Sequence, residues 1–389
     1  MPTYRKNIYL DHAATTPLRP EVYQAMKPYL TIRYGNPSSA YQLGEQSANA
    51  VAHAREQIAN VLHASPEEIY FTAGGTESDN WALKGVVEYQ KFKRRREQCH
   101  IITSCVEHPA VLNSAKNLET KGIMVDYLTV NREGMVSVEE AVQRIRPATV
   151  LLSVMYANNE IGTIEPISEL GEMAASYGVV MHTDAVQAFG QVPIDVKKEQ
   201  IGLLSASSHK LGGPKGVGFL YVSKDCPLAP FINGGGQEKG MRSGTENVAG
   251  IVGLGAASEF AGKTMHQKME YTKKMRNYFW ESVQKEIPSA WLNGASVQEN
   301  RLPGNLNITI PGMNAAEVVA RLDEKMIQCS TASACAANHT HPSHVLQSIG
   351  LGDDDARATL RFTLGEENTV KEIQYTVYQL KTIIAEQSR

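Results

Sequence analysis

Short β-branched apolar runs alternate through the first half of the chain with longer segments whose apolar positions recur at helical spacing. That is the pattern of strands joined by crossover helices in a mostly parallel sheet. Ile69–Thr72 reads as a strand and 77–89 as a helix, followed by a strand at 100–103 and a helix over 110–121. Further strands are expected at 125–128, 149–154, 179–183 and 203–205, with helices over 137–145 and 167–177 between some of them. The alternating GVGFLYV at 216–222 closes a sheet. From 248 to 285 the pattern is one long amphipathic helical stretch, after which strand and helix mix to the C-terminus, with a helical segment at 374–380. This shift predicts a domain boundary near residue 260. The small, polar CSTASACAA at 329–337 reads as a loop. No internal repeat is found.

Composition narrows the function classes. The 389 residues are 42% hydrophobic and 20% charged, ordinary for a globular protein and enough for two domains. Lys and Arg number 38 against 41 Asp and Glu, a net charge of -3. Neither nucleic acid nor an anionic membrane is therefore expected as a main partner, and the substrate should be small. The one dense basic run, KFKRRR at 91–96, reads as a solvated helix end. No apolar run reaches the roughly 18 residues that span a bilayer, and MPTYRKNIYL lacks the apolar core of a signal peptide, so a cytoplasmic protein is expected. Cys99, Cys105, Cys226, Cys329 and Cys335 are odd in number and lack disulfide-framework spacing, so they read as reduced thiols, with room for a reactive one.

Neither a phosphate-binding loop ending in Gly-Lys-Ser/Thr nor a Gly-x-Gly-x-x-Gly turn is present. Even so, FTAGGTESD at 71–79 runs from a strand through Gly74, Gly75 and Thr76 into a helix, where backbone N–H groups and the Thr76 hydroxyl can cradle an anion. The same arrangement also serves as a plain capped connection. In HTDAVQ at 182–187, Asp184 and Gln187 follow a buried-looking strand, at the edge where parallel sheets bind ligands. An acid there can pair with a cationic ring nitrogen or simply cap a helix. In SASSHKLGGPKGVG at 205–218, Lys210 follows another strand, and a partly desolvated amine near cations becomes nucleophilic, a Schiff-base candidate. Lys215 is its rival in the same loop.

Taken together, DHAAT (11–15), GNPSS (35–39), GGTESDN (74–80), Glu107-His108, NNEIG (158–162), Asp184 to Gln187, SSHKLGG (207–213), RSGT (242–245), SAC (333–335) and LRFTLG (360–365) closely resemble the cysteine desulfurases, pyridoxal-phosphate enzymes of the class V aminotransferase group. The motifs run in order from residue 11 to 365. The resemblance implies an α/β protein of pyridoxal-phosphate fold type I. Its large domain, 15–260, would hold a mostly parallel seven-stranded sheet, and residues 1–14 and 261–389 would form a smaller α/β domain carrying a mobile cysteine loop. A homodimer is implied.

By position, the resemblance makes Lys210 the Schiff-base lysine and puts Gly75, Thr76, Ser207 and His209 on the phosphate of pyridoxal 5'-phosphate, with Thr245 reaching it from the partner subunit. His108 would stack on the pyridine face, Asp184 would pair with the ring nitrogen, and Gln187 and Asn159 would contact ring substituents. Arg361, helped by Asn36, would clamp the carboxylate of L-cysteine, a bidentate pairing that suits arginine. The Cys335 thiolate would take the sulfur, leaving alanine and a persulfide for an acceptor protein, either a scaffold of iron-sulfur cluster assembly or an enzyme of tRNA or cofactor thiolation.

A selenocysteine lyase or another class V lyase shares most of these motifs and differs in whether Cys335 is essential. A silent relay subunit is the other alternative, and Lys210, Asp184, His108 and Arg361 together speak against it. Three departures stand out. Ala332 replaces a glycine usual in the cysteine motif. Cys329 reads as a small core residue rather than a relay thiol. His339, His341 and His344 follow Cys335 at spacings that read as a polar loop, since no fourth ligand at metal spacing accompanies them; no metal is expected. Housekeeping members of the family dock an iron-sulfur scaffold through a longer C-terminal tail, and the short stretch after 374–380 puts docking of that kind in question.

Overall fold

A computed structural model describes residues 7–331 and 342–387. After the two-residue strand β1 (Ile8–Tyr9), the chain forms α1 (Pro20–Thr31) and α2 (Gln42–Leu62). It then alternates through β2 (Ile69–Thr72), α3 (Gly75–Glu88), β3 (His100–Ser104), α4 (Pro109–Glu119), β4 (Met124–Leu128), α5 (Val138–Arg144), β5 (Thr149–Ser153), α6 (Ile167–Ser176), β6 (Val180–Asp184), β7 (Leu203–Ser207) and β8 (Gly218–Val222).

These strands form one seven-stranded sheet in the order β2-β8-β7-β6-β5-β3-β4. Only β8 runs against its neighbours. Helices cover both faces, so β5 (TVLLS) and β7 (LLSAS) are buried at every residue and read as continuous runs rather than alternating ones. Because β8 returns antiparallel beside β7, residues 208–217 can join them directly, and Lys210 stays at the carboxyl edge of the sheet.

The helix α7 (Val248–Glu286) is continuous over 39 residues, through the point near 260 where the change of pattern was expected to mark a boundary. At 1.5 Å per residue it is about 58 Å long. It lies against α2 so closely that a Cβ on Gly255 would come within 2.7 Å of Ala54. Beyond it lie β9 (Trp291–Leu292), β10 (Asn305–Thr309), α8 (Ala315–Asp323), β11 (Ile327–Gln328), β12 (Ser330–Thr331), α9 (His344–Ser348), α10 (Asp353–Arg357), β13 (Thr359–Thr363) and α11 (Val370–Gln387). A second, antiparallel sheet has the order β12-β13-β10-β9, and β1 pairs in parallel with β11.

One core surrounds the large sheet, and another gathers Ile8 and Leu10 with Phe279, Ile308, Phe362 and Ile373. The loop expected over 329–337 begins as structure: Ser330 and Thr331 pair with Arg361 and Leu360, an edge position that tolerates small polar residues. Cys329 is buried in the second core, as expected of a small core residue. KFKRRR follows α3 through a π turn, Tyr89–Lys93, with Phe92 in solvent. Among the described residues, no helix is long and apolar enough to cross a membrane.

Candidate active site

A cavity of about 230 Å³ opens at the carboxyl ends of the central strands. One wall is built by the β2–α3 turn. Gly74 adopts φ +153°, and a Cβ on Gly75 would lie 2.5 Å from Val186 Cγ2, so only glycine lets the helix start this close to the segment after β6. The first turn of α3, with Thr76, then presents N–H groups that have no intrahelical acceptor, at the positive end of the helix dipole. Ser207, at the end of β7, and His209 line the same cavity. Burial, aided by the Lys210 charge, pushes His209 down to about 4, so its imidazole is neutral. Its Nδ1 lies 3.1 Å from Thr15 Oγ1.

Lys210 enters from the turn after β7. Its Nζ donates to the carbonyls of Ala13 and Ala14, the latter at 2.8 Å. Lys215 is exposed and does not line the cavity. Gln187 Nε2 donates to the same Ala13 carbonyl at 3.0 Å.

Asp184 is the last residue of β6, and its Oδ1 accepts the Val186 N–H at 2.9 Å. Burial pushes its carboxyl up, against the Val186 N–H and the Lys210 charge, which act to lower it. His108 caps α4: its Nδ1 accepts the Ala110 N–H at 3.1 Å, which leaves the ring proton on Nε2. Oxygen atoms of Asp79 and Asp184 and a ring nitrogen of His108 lie within 4.8 Å of one another. This grouping resembles a metal site, but a neutral imidazole with its proton on Nε2 is a donor there and not a ligand.

At the opposite side, Arg361 on β13 is buried. Its Nη2 donates to Asp11 Oδ1 at 2.8 Å and its Nη1 to the Asn159 carbonyl at 3.1 Å, while Nε has no acceptor. The cavity therefore brings together Gly75, Thr76, His108, Asn159, Asp184, Gln187, Ser207, His209, Lys210 and Arg361.

Other expectations fall elsewhere. Asn36 is exposed, and its Oδ1 accepts the Ser38 N–H at 2.9 Å in a tight local turn, so within its own chain it does not reach Arg361. Thr245 is also exposed and away from this cavity; nearby, Arg242 pairs with Glu77 at 2.7 Å. His344 is the first residue of α9, and its Nε2 lies 3.1 Å from the Glu107 carbonyl. Cys335, Ala332, His339 and His341 lie outside the described residues. Sequence reasoning gave no role to Asp11, Asp79 or the Ala13–Ala14 carbonyls, although the first two stand inside quoted motifs. For Asp79 the only sequence signal is its place just over one turn into the helix that follows Gly-Gly-Thr.

The sequence pattern of the family described as Aminotransferase class-V matches residues 8–376. The cysteine desulfurase IscS of Dictyoglomus turgidum is 46% identical over 380 residues, covering 98% of this chain and 95% of that protein. That of Methanosarcina thermophila is 46% identical over 382 residues, covering 98% and 93%. Among solved structures, a NifS-like protein aligns with a TM-score of 0.91 at 34% identity, over 98% of this chain and all of that one. A structure titled SspA in complex with cysteine aligns at 0.81 and 40% identity, over 93% and 100%. By these matches along nearly its whole length, the chain belongs to the class-V aminotransferase family, among its cysteine desulfurases.

Proposed function

We propose that the protein is a homodimeric, cytoplasmic, pyridoxal-phosphate-dependent enzyme that converts L-cysteine to L-alanine and holds the sulfur as a persulfide on Cys335 for an acceptor protein. The acceptor is a scaffold of iron-sulfur cluster assembly or a thiolation enzyme. One observation carries this reading: a single cavity joins an anion cradle, a buried carboxylate, a lysine and an arginine with an unsatisfied buried N–H.

That set fits the cofactor. The glycine-walled start of α3, with Thr76, Ser207 and His209, suits a phosphate, and the buried Asp184 in the same cavity suits a protonated ring nitrogen. Bound there, the cofactor supplies an electron sink for negative charge at the substrate α-carbon. Arg361 has donors left for the substrate carboxylate, because Asp11 and Asn159 occupy only part of its guanidinium. Lys210 Nζ, held by two backbone carbonyls, moves the proton of the α-carbon. His108 Nε2–H is a further donor within the cavity. The Cys335 thiolate attacks the substrate sulfur, the carbon–sulfur bond breaks, and the β-carbon takes a proton, so L-cysteine and a thiol become L-alanine and a persulfide. The same reading divides the chain into 15–260, and 1–14 with 261–389; the core around Phe279 and Phe362 supports this, although Ala261 and Leu302 pack into the core of the large sheet and a small cluster joins Val106 and Ile161 to Val345 and Leu346.

The test is alanine formed from L-cysteine by wild type and Cys335→Ser, with mass spectrometry for added sulfur on the Cys335 peptide. Cys335→Ser should release neither alanine nor sulfide. Full turnover by that variant, or persulfide on Cys329 alone in the unmutated protein, overturns the reading.

A further inference from the structure

Asp79, only 1% exposed, lines the cavity and has no part in the chemistry above. Strand register decides its surroundings. Asp184 and His182 are two residues apart on β6 and so share a face. Ser205 on β7 stands beside Asp184, and Ser153 on β5 stands beside His182. His182 is fully buried: Nδ1 lies 2.8 Å from Ser153 Oγ, and Nε2 lies 3.0 Å from Ser205 Oγ and 3.8 Å from Asp79 Oδ1. Two serine hydroxyls thus hold the imidazole from either side. Burial pushes it down to about 3, so it brings no positive charge to Asp79.

The other groups facing Asp79 are two acids, a neutral imidazole and the Ser205 hydroxyl, whose hydrogen bond to the Asp79 side chain is the one influence among them that favours its ionised form. Glu107 and His108 come from the segment between β3 and α4, Ser205 from β7, and Asp184 from β6. Asp79 Oδ1 accepts no hydrogen bond. An ionised Asp79 would therefore be a buried charge without a cation, within 4.8 Å of a second carboxylate.

We infer that Asp79 and Asp184 carry one negative charge between them, with the proton on Asp79, and that Asp79 is the positioning residue that keeps Asp184 ionised toward the cofactor ring nitrogen. This rests on the proposed pairing of Asp184 with that nitrogen. The electrostatics agree in order: burial and then the Asp184 charge push the Asp79 carboxyl well up, while burial also raises Asp184 but the Val186 N–H and the Lys210 charge work against that rise. Were Asp79 ionised, Asp184 would have to take the proton, and the ring nitrogen would lose its counter-charge.

Infrared difference spectra of the full chain at neutral pH, loaded and cofactor-free, read the proton directly. Glu160 and Glu165, pushed up by burial to about 7 and 8, contribute protonated-carboxyl bands that cancel in a difference. Glu107 is pushed up by burial to about 8 with the Asp184 charge adding to it, so every protein compared by infrared, the wild-type reference included, carries Glu107→Gln. Wild type minus Asp79→Asn should show the loss of one such C=O band in both forms; wild type minus Asp184→Asn should show none in the loaded form. Asparagine mimics the neutral acid, so Asp79→Asn should bind the cofactor as wild type does at neutral pH and keep it at alkaline pH where wild type releases it. Asp79→Thr replaces it if that variant does not fold. No band lost on substituting Asp79, or superimposable alkaline release curves, overturns the inference. An unaltered cofactor absorbance in Asp184→Asn would instead refute the ring-nitrogen pairing, and the cofactor-free spectra would still decide where the proton sits.

Discussion

Arg361 and Asp11, 350 residues apart in sequence, form an ion pair of 2.8 Å whose side chains are 3% and 17% exposed. Removing one member of a buried pair leaves the other charge uncompensated, at a cost of about 3–5 kcal/mol when fully buried and less at this partial exposure. Asp11→Ala should therefore lower the thermal midpoint and raise KM for L-cysteine more than it lowers kcat, because Arg361 loses the partner that orients it. Asp11→Asn retains an acceptor and should do less. Steady-state kinetics with a melting curve checks this; an unchanged KM in Asp11→Ala refutes it.

Lys210 reaches the cavity and Lys215 does not. Lys210→Ala should abolish the visible absorbance of the lysine-bound cofactor, while Lys215→Ala should keep it. A yellow, borohydride-reducible Lys210→Ala protein would be the contrary outcome.

Thr245 is exposed and outside its own chain's cavity, as a residue that serves a partner's site should be. Mixing Lys210→Ala and Thr245→Ala subunits should then generate one intact site per heterodimer and recover activity that neither variant has alone. Failure to recover any would mean that each site is built from a single chain.

Glu107 is wholly buried. Its Oε1 accepts from Ser104 Oγ at 2.6 Å and from the Met155 N–H at 2.9 Å, and burial pushes its carboxyl from 4.5 up to about 8. The folded state holds the proton more tightly than the unfolded state, so this contribution is full below pH 4.5 and is lost as pH rises through about 8. Melting curves of cofactor-free protein should show wild type losing stability relative to Glu107→Gln across that interval. Parallel pH profiles would show that the carboxyl is not held neutral.

The alternating strands and helices from residue 69 onward were legible because strands buried on both faces announce themselves as apolar runs, and most ends fell within a residue or two. Asp184, expected just after its strand, is the strand's last residue. The helices α1 and α2 went unread: each buries only a narrow set of residues, and α2 does so largely through small Ala, Gly and Ser. Ten residues named from motifs line the cavity, whereas Asn36 and Thr245, named from motifs in the same way, do not. Asp79 and Asp11 were missed because their meaning depends on what lies across from them. Register along β6 and β7 puts His182, Ser205 and Asp184 opposite Asp79, and Asp11 acquires its role only when β13 folds back beside it.

Residues 11–16 hold Arg361 through Asp11 and Thr363 through the Ala13 N–H, while their carbonyls hold Lys210. During synthesis the partners of these residues on β13 follow them by 350 residues. At roughly 5–20 residues per second, a separation of 350 residues is a wait on the order of tens of seconds. Over the last 151 residues of that stretch, from Lys210 to Arg361, the lysine can be present without the arginine. A nascent chain can therefore assemble its large sheet before it owns a finished cavity, and a carboxylate-bearing substrate meets its arginine only once β13 has been made.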